Sequence, residues 1–558
     1  MKWIQRKAKE KPNSSDSPVD QIAKIRGVEN TERFLKPTSE ELHDPYLLKN
    51  IEEASNRIIK AIMNKENIVI SYDCDADGLT SSTIMMRYLF NYTENVDFIY
   101  GERNDGHGIT EQILITEDIE EERLNRSISN REKIEDADLL ILIDSSTNDP
   151  ETCKKIIKAG TDIVILDHHA IEKENPYCIM VNPQQEDCLY PNKFLSGAGV
   201  VFKVLQVIED TLDEVDVWQF IDLVAVGMYA DMMRVDVLEN RYLIMHGLRN
   251  ITNTGLVRIL KGGKVDLYNV DCSAIGFTIA PLINGVARMG EIKLAIDILL
   301  EDDDKICKKL RLKMDKLNKT RKARQKEIFE QYSNAINEDE KVLIVMDDKS
   351  SKGFNGLVAQ QLTDNYRRPA IVGRLHKGYL SGSFRSYNNF NFLDFLKGFE
   401  NDIEVIGHKG AGGFVLAEEH IENLKTYIDR LMPTLTEKEP FALYDLELDV
   451  SEINEYMKAI QQFNLVCGSG FPKIIVKVTG IRVNDTAVLG ETRETVKITT
   501  FNNLELIRFR VDEEYASDLA PFDDLEAVGE LKLNQWFNFK TKKKVVIPQV
   551  VLQDYALI

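Results

Sequence analysis

The sequence lacks the features of a membrane-spanning or secreted protein. None of its apolar runs approaches the ~18–20 residues that a bilayer-spanning helix needs. The first residues, MKWIQRKAKEKPNSSDSP, have no apolar core of the kind that a secretory signal carries. Cysteine is scarce, with seven residues and no CxxC pair, which argues against a disulfide framework or a zinc site and favours reduced thiols. We therefore expect a cytoplasmic protein without a membrane anchor.

An excess of basic residues is also missing. The chain has 70 Lys+Arg against 91 Asp+Glu, a formal net charge of −21, so it is not expected to coat nucleic acid along its whole surface. A local basic groove stays compatible with that total. The hydrophobic fraction of 43% and the charged fraction of 29% are typical of globular proteins, and 558 residues suffice for three or four domains.

Short apolar runs alternate with helical stretches in the first part of the chain. The runs cover residues 67–72, 96–100, 137–143 and 162–166, and stretches such as 79–92 and 150–159 lie between them. Continuous apolar strands that alternate with helices predict a parallel sheet covered on both faces.

The remainder of the chain changes pattern twice. Residues 302–335 are highly charged and free of proline and glycine, which predicts a solvated connecting helix. Residues 341–432 show a second α/β pattern that includes the glycine-rich GHKGAGG at 407–413. From about residue 440 onward, short β-like runs at close spacing predict a small barrel or sandwich.

Acidic side chains follow three of the predicted strands, as Asp73-Cys74-Asp75-Ala76-Asp77-Gly78, as Asp144, and as Asp167-His168-His169. A single aspartate there would be an ordinary helix N-cap. Three together with two histidines would gather negative charge beyond the carboxyl ends of the strands, which bound metal stabilises. A mixed Asp/His set favours Mn²⁺ or Mg²⁺ over a closed zinc site, and several carboxylates can hold two ions. An EF-hand is not expected, because Ile84 stands where that loop needs glutamate.

Several motifs carry a family resemblance. DCDADG at 73–78, LILIDSS at 140–146 and ILDHHA at 165–170 resemble the first three motifs of the DHH phosphoesterases. Further segments, in order along the chain, are similar to the RecJ single-strand exonuclease branch: VNPQQ at 181–185, LSGAGVVFKVL at 195–205, DLVAVGMYADMMRVDVLENR at 222–241, PLINGVARMG at 281–290, SGSFRS at 381–386, GHKGAGG at 407–413, CGSGFPK at 467–473 and VGELKLNQW at 528–536.

The resemblance implies an α/β fold with a C-terminal β-barrel. The parallel-sheet DHH catalytic domain with an N-terminal extension would occupy residues 1–300, followed by a connecting helix over 301–336. A smaller α/β DHH-associated substrate domain would occupy 337–436, and an OB-like nucleic-acid-binding domain 437–558.

The resemblance also implies a set of metal ligands for two Mn²⁺ or Mg²⁺ ions: Asp73, Asp75, Asp144, His168 and Asp231. Asp144 would bridge the ions. His169 would face the phosphate as a positioning or proton-handling group, and Asp167 would orient the histidine pair. Asp77 is expected to brace the loop, and Asp222 to be structural.

Substrate contacts are implied for eight residues: Arg103, Arg288, Ser383, Arg385, Gly407, His408, Gly410 and Gly412. The planar guanidinium of arginine suits phosphate, and a glycine-rich turn lets backbone N–H groups approach an anionic backbone. The loop RNDGHG at 103–108 departs from the family pattern by being one residue shorter, with His107 in place of tyrosine. Whether His107 contacts the site is left open.

The implied activity is 5′→3′ hydrolysis of single-stranded DNA to mononucleotides, in DNA repair, recombination or replication. Expected partners are single-stranded DNA and a helicase or single-strand-binding protein, and the expected state is a monomer. Two alternatives stay open: a phosphodiesterase for short oligonucleotides or cyclic dinucleotides, and a non-catalytic replication scaffold. Val69 and the C-terminal barrel argue against the first alternative, because related small phosphodiesterases place histidine at the position of Val69. The intact Asp/His set argues against the second.

Overall fold

The computed structural model divides into two compact units. It describes residues 1–13, 15–102, 108–109, 121–334, 336–337, 339–348, 352–388, 390–399, 403–433, 435, 441–490, 493–538 and 542–558. The central unit contains residues 43–233 and 246–438, and the terminal unit contains residues 1–42, 234–245 and 439–558. Residues 1–42 therefore group with the C-terminal part of the chain, whereas the sequence placed them with the first domain. The four-part division itself stays a prediction.

The strands of the described residues are, in chain order, β1 Lys2–Gln5, β2 Ile68–Tyr72, β3 Val96–Tyr100, β4 Leu139–Ile143, β5 Asp162–Leu166, β6 Ile179–Val181, β7 Leu343–Met346, β8 Ala370–His376, β9 Tyr379–Arg385, β10 Ile403–His408, β11 Ala411–Ala417, β12 Phe441–Tyr444, β13 Leu446–Asp449, β14 Ile475–Leu489, β15 Thr495–Thr500, β16 Glu505–Phe509, β17 Asp524–Asn538 and β18 Lys543–Leu557.

The helices of the described residues are, in chain order, α1 Pro18–Arg26, α2 Thr31–Leu35, α3 Ile51–Asn64, α4 Ala76–Leu89, α5 Glu121–Glu135, α6 Pro150–Ala159, α7 Gly197–Glu209, α8 Ile221–Ala230, α9 Leu238–Arg249, α10 Thr254–Gly262, α11 Cys272–Ala274, α12 Ala280–Ala287, α13 Ile292–Leu300, α14 Asp304–Ser333, α15 Lys352–Tyr366, α16 Phe392–Lys397, α17 Ile421–Leu431 and α18 Ile453–Asn464. A π-helical turn at Ile275–Ile279 joins α11 to α12. Within the described ranges, every helix is either too short or too polar to span a bilayer.

The first sheet of the central unit is fully parallel, with the strand order β3-β2-β4-β5-β6. Strands β2 and β4 are buried along their whole length, as their uninterrupted apolar runs predict. Helix α4 is buried almost throughout and packs against α7 and α8. Because the strands share one direction, their carboxyl ends lie at one edge of the sheet. The three-residue strand β6 was not predicted, since such a short run gives little periodic signal.

The second sheet of the central unit is mixed, with the order β10-β11-β9-β8-β7. Only β7 and β8 run parallel to each other, and the other neighbouring strands are antiparallel. Helix α15 packs against β8 and β9, and a second core of this unit gathers Leu380, Phe384 and Phe392. The α14 segment is one 30-residue helix between the two sheets in sequence, as its charged, breaker-free composition predicts.

The large sheet of the terminal unit closes on itself. Strand β14 pairs with β15 on one side and with β17 on the other, so the order β14-β15-β16-β18-β17 returns to its start. Buried residues such as Val478, Ile498 and Leu525 fill its interior. The closed circuit of five strands fits the small barrel expected from the short β-like runs, and β13 adds to it in parallel with β14.

The N-terminal residues belong to the terminal unit because their partners lie there. Strand β1 pairs in parallel with β12. The buried carboxylate of Asp445 forms ion pairs with Arg6 (2.7 Å) and Arg26 (2.9 Å). The indole N–H of Trp3 donates to Asp554 (2.9 Å). Local sequence gives no sign of such pairings, since the partners are more than 400 residues apart.

Candidate metal centre

Three aspartates meet at the carboxyl edge of the parallel sheet. Asp73 and Asp75 follow β2, Asp144 follows β4, and one carboxylate oxygen from each lies within 4.8 Å of the others. Asp75 also caps α4, accepting hydrogen bonds from the N–H groups of Asp77 (3.0 Å) and Gly78 (3.1 Å). Asp144 has a φ of 58°, a left-handed conformation that is uncommon for a residue other than glycine and clusters at functional sites.

His168 connects this group to Asp231. Its Nε2 lies 3.2 Å from Oδ1 of Asp144 and 3.4 Å from Oδ2 of Asp231, which stands at the C-terminal end of α8. The same nitrogen is 3.8 Å from Oδ2 of Asp77. All five predicted ligands thus come together, although Asp231 lies more than 60 residues beyond the histidine in sequence.

The side chain of His169 is held by Asp167. Its Nδ1 lies 2.7 Å from Oδ1 of Asp167, and the hydroxyl of Thr147 donates to the other oxygen of that carboxylate (2.7 Å). Burial by itself would raise the pKa of Asp167, but the hydrogen bond and charge of His169 outweigh it and lower that pKa well below its usual range. Asp167 is therefore anionic and fixes the orientation of the imidazole.

Two further buried aspartates serve as acceptors for backbone N–H groups. Asp77 accepts from the amides of Gly197 (2.7 Å) and Ala198 (3.1 Å) at the start of α7, and from the hydroxyl of Ser196 (2.9 Å). Asp222 accepts from the amides of three other residues: Leu223 (2.8 Å), Thr252 (2.8 Å) and Asn253 (2.7 Å). Both arrangements match the bracing and structural roles expected of these residues.

Glycines allow the surrounding helices to approach the carboxylates closely. A Cβ on Gly197 would lie 2.7 Å from Oδ1 of Asp144, and a Cβ on Gly227 would collide with Oδ1 of Asp77. A Cβ on Gly78 would lie 2.8 Å from the Cβ of Asp73. The site is thus built at distances that any larger side chain would disturb.

The clustered charge perturbs the carboxylates. Burial, followed by the charges of Asp77 and Asp75, raises the pKa of Asp144 well above its usual range. The same causes raise the pKa of Asp231 to about 8. Oδ1 of Asp144 is buried and accepts no hydrogen bond within the described chain. A divalent cation fits this donor set, because it would compensate the charge and the five side chains offer the oxygen and imidazole ligands that Mn²⁺ and Mg²⁺ accept.

The predicted substrate residues lie in two places of the central unit. Arg288 directly follows α12 and donates to the carbonyl of Gly353 in α15 (2.9 Å). Arg385 and Ser383 stand on β9, facing Gly356 of α15: a Cβ there would lie 2.7 Å from Nη2 of the arginine and 3.5 Å from the serine Oγ. Burial lowers the pKa of Arg385.

The glycine-rich segment forms the hairpin between β10 and β11. Gly407 has a φ of 140°, and the amide of Gly410 donates to Nδ1 of the exposed His408 (3.2 Å). Gly412 has no room for a side chain, since a Cβ would collide with the carbonyl of Ile406. The predictions for Arg103 and His107 concern residues that lie outside the described part of the chain.

Sequence reasoning missed the polar groups that hold the acidic residues. Thr147 and Asn182 are both buried, and the amide of Asn182 donates to the hydroxyl of Thr147 (3.1 Å) and to the carbonyl of His169 (2.9 Å). Both residues lie next to motifs in sequence, three residues after Asp144 and in VNPQQ, which is the signal that would have found them.

Comparisons with known proteins agree with this geometry. Residues 67–228 match the N-terminal domain of the DHH family, and residues 444–546 match the RecJ OB domain. The single-stranded-DNA-specific exonuclease RecJ of Bacillus subtilis is 29% identical over 549 residues, covering 95% of this chain and 66% of that protein. A putative SPbeta prophage-derived single-strand DNA-specific exonuclease of B. subtilis is 26% identical, covering 97% and 96%. The Mn²⁺ complex of RecJ from Thermus thermophilus shares the fold, with a TM-score of 0.77 at 22% identity, covering 97% and 76%.

Proposed function

We propose that this chain, which matches the N-terminal domain of the DHH family and the RecJ OB domain, is a metal-dependent exonuclease of single-stranded DNA. The observation that carries the proposal is the convergence of Asp73, Asp75, Asp144, His168 and Asp231 at one edge of the parallel sheet. The two B. subtilis relatives named above are described as nucleases of single-stranded DNA. The proposal includes 5′→3′ polarity and mononucleotide products.

The five converging side chains would hold two Mn²⁺ or Mg²⁺ ions, with Asp144 shared between them. Such ions activate water and neutralise charge on a phosphoryl group. Asp167 holds the imidazole of His169 beside this centre, where a partly exposed ring can position the scissile phosphate or transfer a proton. Asp77 keeps α7 in place and so keeps Gly197 against Asp144.

The phosphates and backbone of the strand would be bound by four groups: Arg288, Arg385, Ser383 and the β10–β11 hairpin. The two guanidinium groups supply directional donors for phosphate oxygens. The ring of His408 is exposed and the amide of Gly410 donates to its Nδ1, so the hairpin presents polar groups of the kind that bind a nucleic-acid backbone. We extend the proposal to a cytoplasmic, monomeric enzyme in DNA repair, recombination or replication, working beside a helicase or a single-strand-binding protein.

The test is a degradation assay with end-labelled substrates in Mn²⁺ or Mg²⁺. It compares 5′-phosphorylated single-stranded DNA, duplex DNA, RNA and dinucleotides. Stepwise release of mononucleotides from the 5′ end of single-stranded DNA is the expected result. Cleavage of dinucleotides alone would replace the proposal with a short-oligonucleotide phosphodiesterase, and absence of turnover on every substrate would leave a scaffold.

Two variants locate the activity. Asp144→Ala removes the shared ligand and is expected to abolish hydrolysis while the protein stays folded. Asp162→Ala is the matched control, because Asp162 begins β5 at the opposite edge of the same sheet and is half exposed beside Arg57. Near-normal turnover by Asp144→Ala, or equal losses in both variants, would contradict the site assignment.

A further inference from the structure

Arg321 on the connecting helix α14 carries a charge that no carboxylate neutralises within the described chain. Its side chain is partly buried, and its Nε donates to Oδ1 of Asn318 (3.0 Å) and its Nη1 to Oε1 of Gln325 (3.0 Å). Both partners are neutral amides. Burial lowers the pKa of Arg321, and within the described chain no neighbouring anion compensates the cost. Withdrawing a charge from water without an opposite charge is unfavourable, so an anion bound to this guanidinium would offset the cost.

A second arginine on α14 has a structural role and provides a comparison. Arg311 is buried and forms an ion pair with Asp315, one helical turn further on. The residue one turn after Arg321 is Gln325, whose neutral amide orients the guanidinium but does not neutralise its positive charge. Gln325 in turn donates to Oε1 of Gln361 in α15 (3.2 Å).

Arg321 lies beside the helix that precedes Arg288. A Cβ on Gly285 of α12 would lie 3.3 Å from Nε of Arg321. Gly285 and Arg288 are three residues apart, and residues at that spacing share one face of a helix. The contact point of Arg321 on α12 therefore lies about one helical turn before Arg288, which directly follows that helix.

Helix α15 links Arg288 to Arg385 in a similar way. Arg288 donates to the carbonyl of Gly353, and the guanidinium of Arg385 lies against Gly356, one turn further along that helix. Arg385 donates to the carbonyl of Phe384 (2.8 Å), and no carboxylate within the described chain pairs with it. We call Arg321, Arg288 and Arg385 the arginine row, since each is linked to the next through a single helical turn.

We propose that Arg321 is a phosphate-binding residue, which extends the strand-binding surface beyond Arg288 and Arg385 onto the connecting helix. The proposal rests on the proposed function for the identity of the ligand, a single-stranded DNA backbone. Asn318 and Gln325 hold the guanidinium in one orientation, so that the phosphate meets a group that is already placed. Arg321 binds and positions the strand and takes no part in the chemical step.

The experiment measures binding of a labelled, 5′-phosphorylated single strand to the Asp144→Ala protein in Mn²⁺. Fluorescence anisotropy gives Kd over a series of salt concentrations for Arg321→Gln, Arg321→Lys and Lys322→Gln, each added to Asp144→Ala. Lys322 is the matched control, because it is the next residue on α14, is exposed, and loses the same charge. Arg321→Gln is expected to weaken binding about tenfold, and to reduce the slope of log Kd against log salt by about 0.7. Lys322→Gln is expected to change neither quantity.

Arg321→Lys tests the same idea with the charge retained. Its salt slope should match that of the parent while Kd stays weaker, because lysine lacks the two-pronged donor geometry. In the protein with intact Asp144, Arg321→Gln should raise KM for single-stranded DNA and leave kcat near the parent value.

The proposal is overturned if Arg321→Gln binds with the Kd and the salt slope of its parent. If Arg321→Gln does not fold, an unchanged Kd for Arg321→Lys overturns it instead. Absence of hydrolysis in the intact protein, together with Arg321-dependent binding, would refute the exonuclease and retain the phosphate site. If Asp144→Ala does not bind the strand, KM in the protein with intact Asp144 decides instead, and an unchanged KM for Arg321→Gln would refute the phosphate site.

Discussion

Replacing Asp77 by asparagine tests whether this buried carboxylate braces α7 or binds metal. Asparagine keeps the shape but presents one oxygen and one N–H₂ group, so at least one of the amides of Gly197 and Ala198 loses its acceptor. A buried, unsatisfied donor costs about 1–3 kcal/mol, and loss of the negative charge at a helix N-terminus costs roughly 0.3–2 kcal/mol more. We expect Asp77→Asn to lower the free energy of unfolding by about 1–5 kcal/mol.

Urea denaturation measures the loss, and amide hydrogen exchange locates it. Exchange should accelerate in a peptide that covers 195–205, where the acceptor has been removed. The number of bound Mn²⁺ ions per chain should stay at the parent value, because the five predicted ligands are untouched.

Asp222→Asn is the matched control. Asp222 is also buried and accepts three backbone N–H groups, but it lies in the first turn of α8. Asp231 follows the end of that helix, about 13 Å further along at 1.5 Å per residue. A similar loss of stability is expected, without faster exchange at 195–205. The bracing role of Asp77 is refuted if the free energy of unfolding of Asp77→Asn lies within about 0.5 kcal/mol of the parent value and the variant binds one Mn²⁺ ion fewer. A change that small is typical of surface substitutions and is incompatible with the loss of buried hydrogen bonds.

Three further outcomes are expected. Gly227→Ala should destabilise the protein by about 1–3 kcal/mol in urea denaturation, because its Cβ would collide with Asp77 and lie 2.6 Å from the Cβ of Ala198; a neutral result would mean that the helices can separate at no cost. Asp167→Asn should lower kcat about 10–100-fold with little change in the Kd for DNA, since it weakens the hold on His169; unchanged kcat would show that this contact has no part in turnover. Mn²⁺ should raise the Tm of the parent by compensating the clustered carboxylates, and an equal rise in Asp144→Ala would place the ion elsewhere.

The sequence predicted those parts of the structure that depend on local pattern. The apolar runs at 67–72, 137–143 and 162–166 became β2, β4 and β5, and the acidic residues after them meet as a parallel sheet requires. Asp231 could be placed only through the family resemblance, since nothing near it in sequence indicates a contact with His168.

What escaped prediction depends on partners distant in sequence. Asp77 finds its donors about 120 residues away in α7, and the contact is invisible in a D-x-D-x-D-G motif taken alone. The pairing of β1 with β12 is a second example. The neutral surroundings of Arg321 are a third, because the highly charged composition of α14 suggests that every basic side chain there has an acidic partner or water.

The three separate segments of the terminal unit set an order for folding during synthesis. Strand β1 leaves the ribosome about 440 residues before β12, its partner. At roughly 5–20 residues per second, synthesis of the residues between 42 and 439 takes tens of seconds, and during that time the first 42 residues lack their folding partners. The central unit is complete in sequence before those partners are made. Arg6, Arg26 and Trp3 remain without Asp445 and Asp554 for that interval. Nascent chains halted before residue 439 should therefore contain a protease-resistant central unit and a protease-sensitive N-terminus.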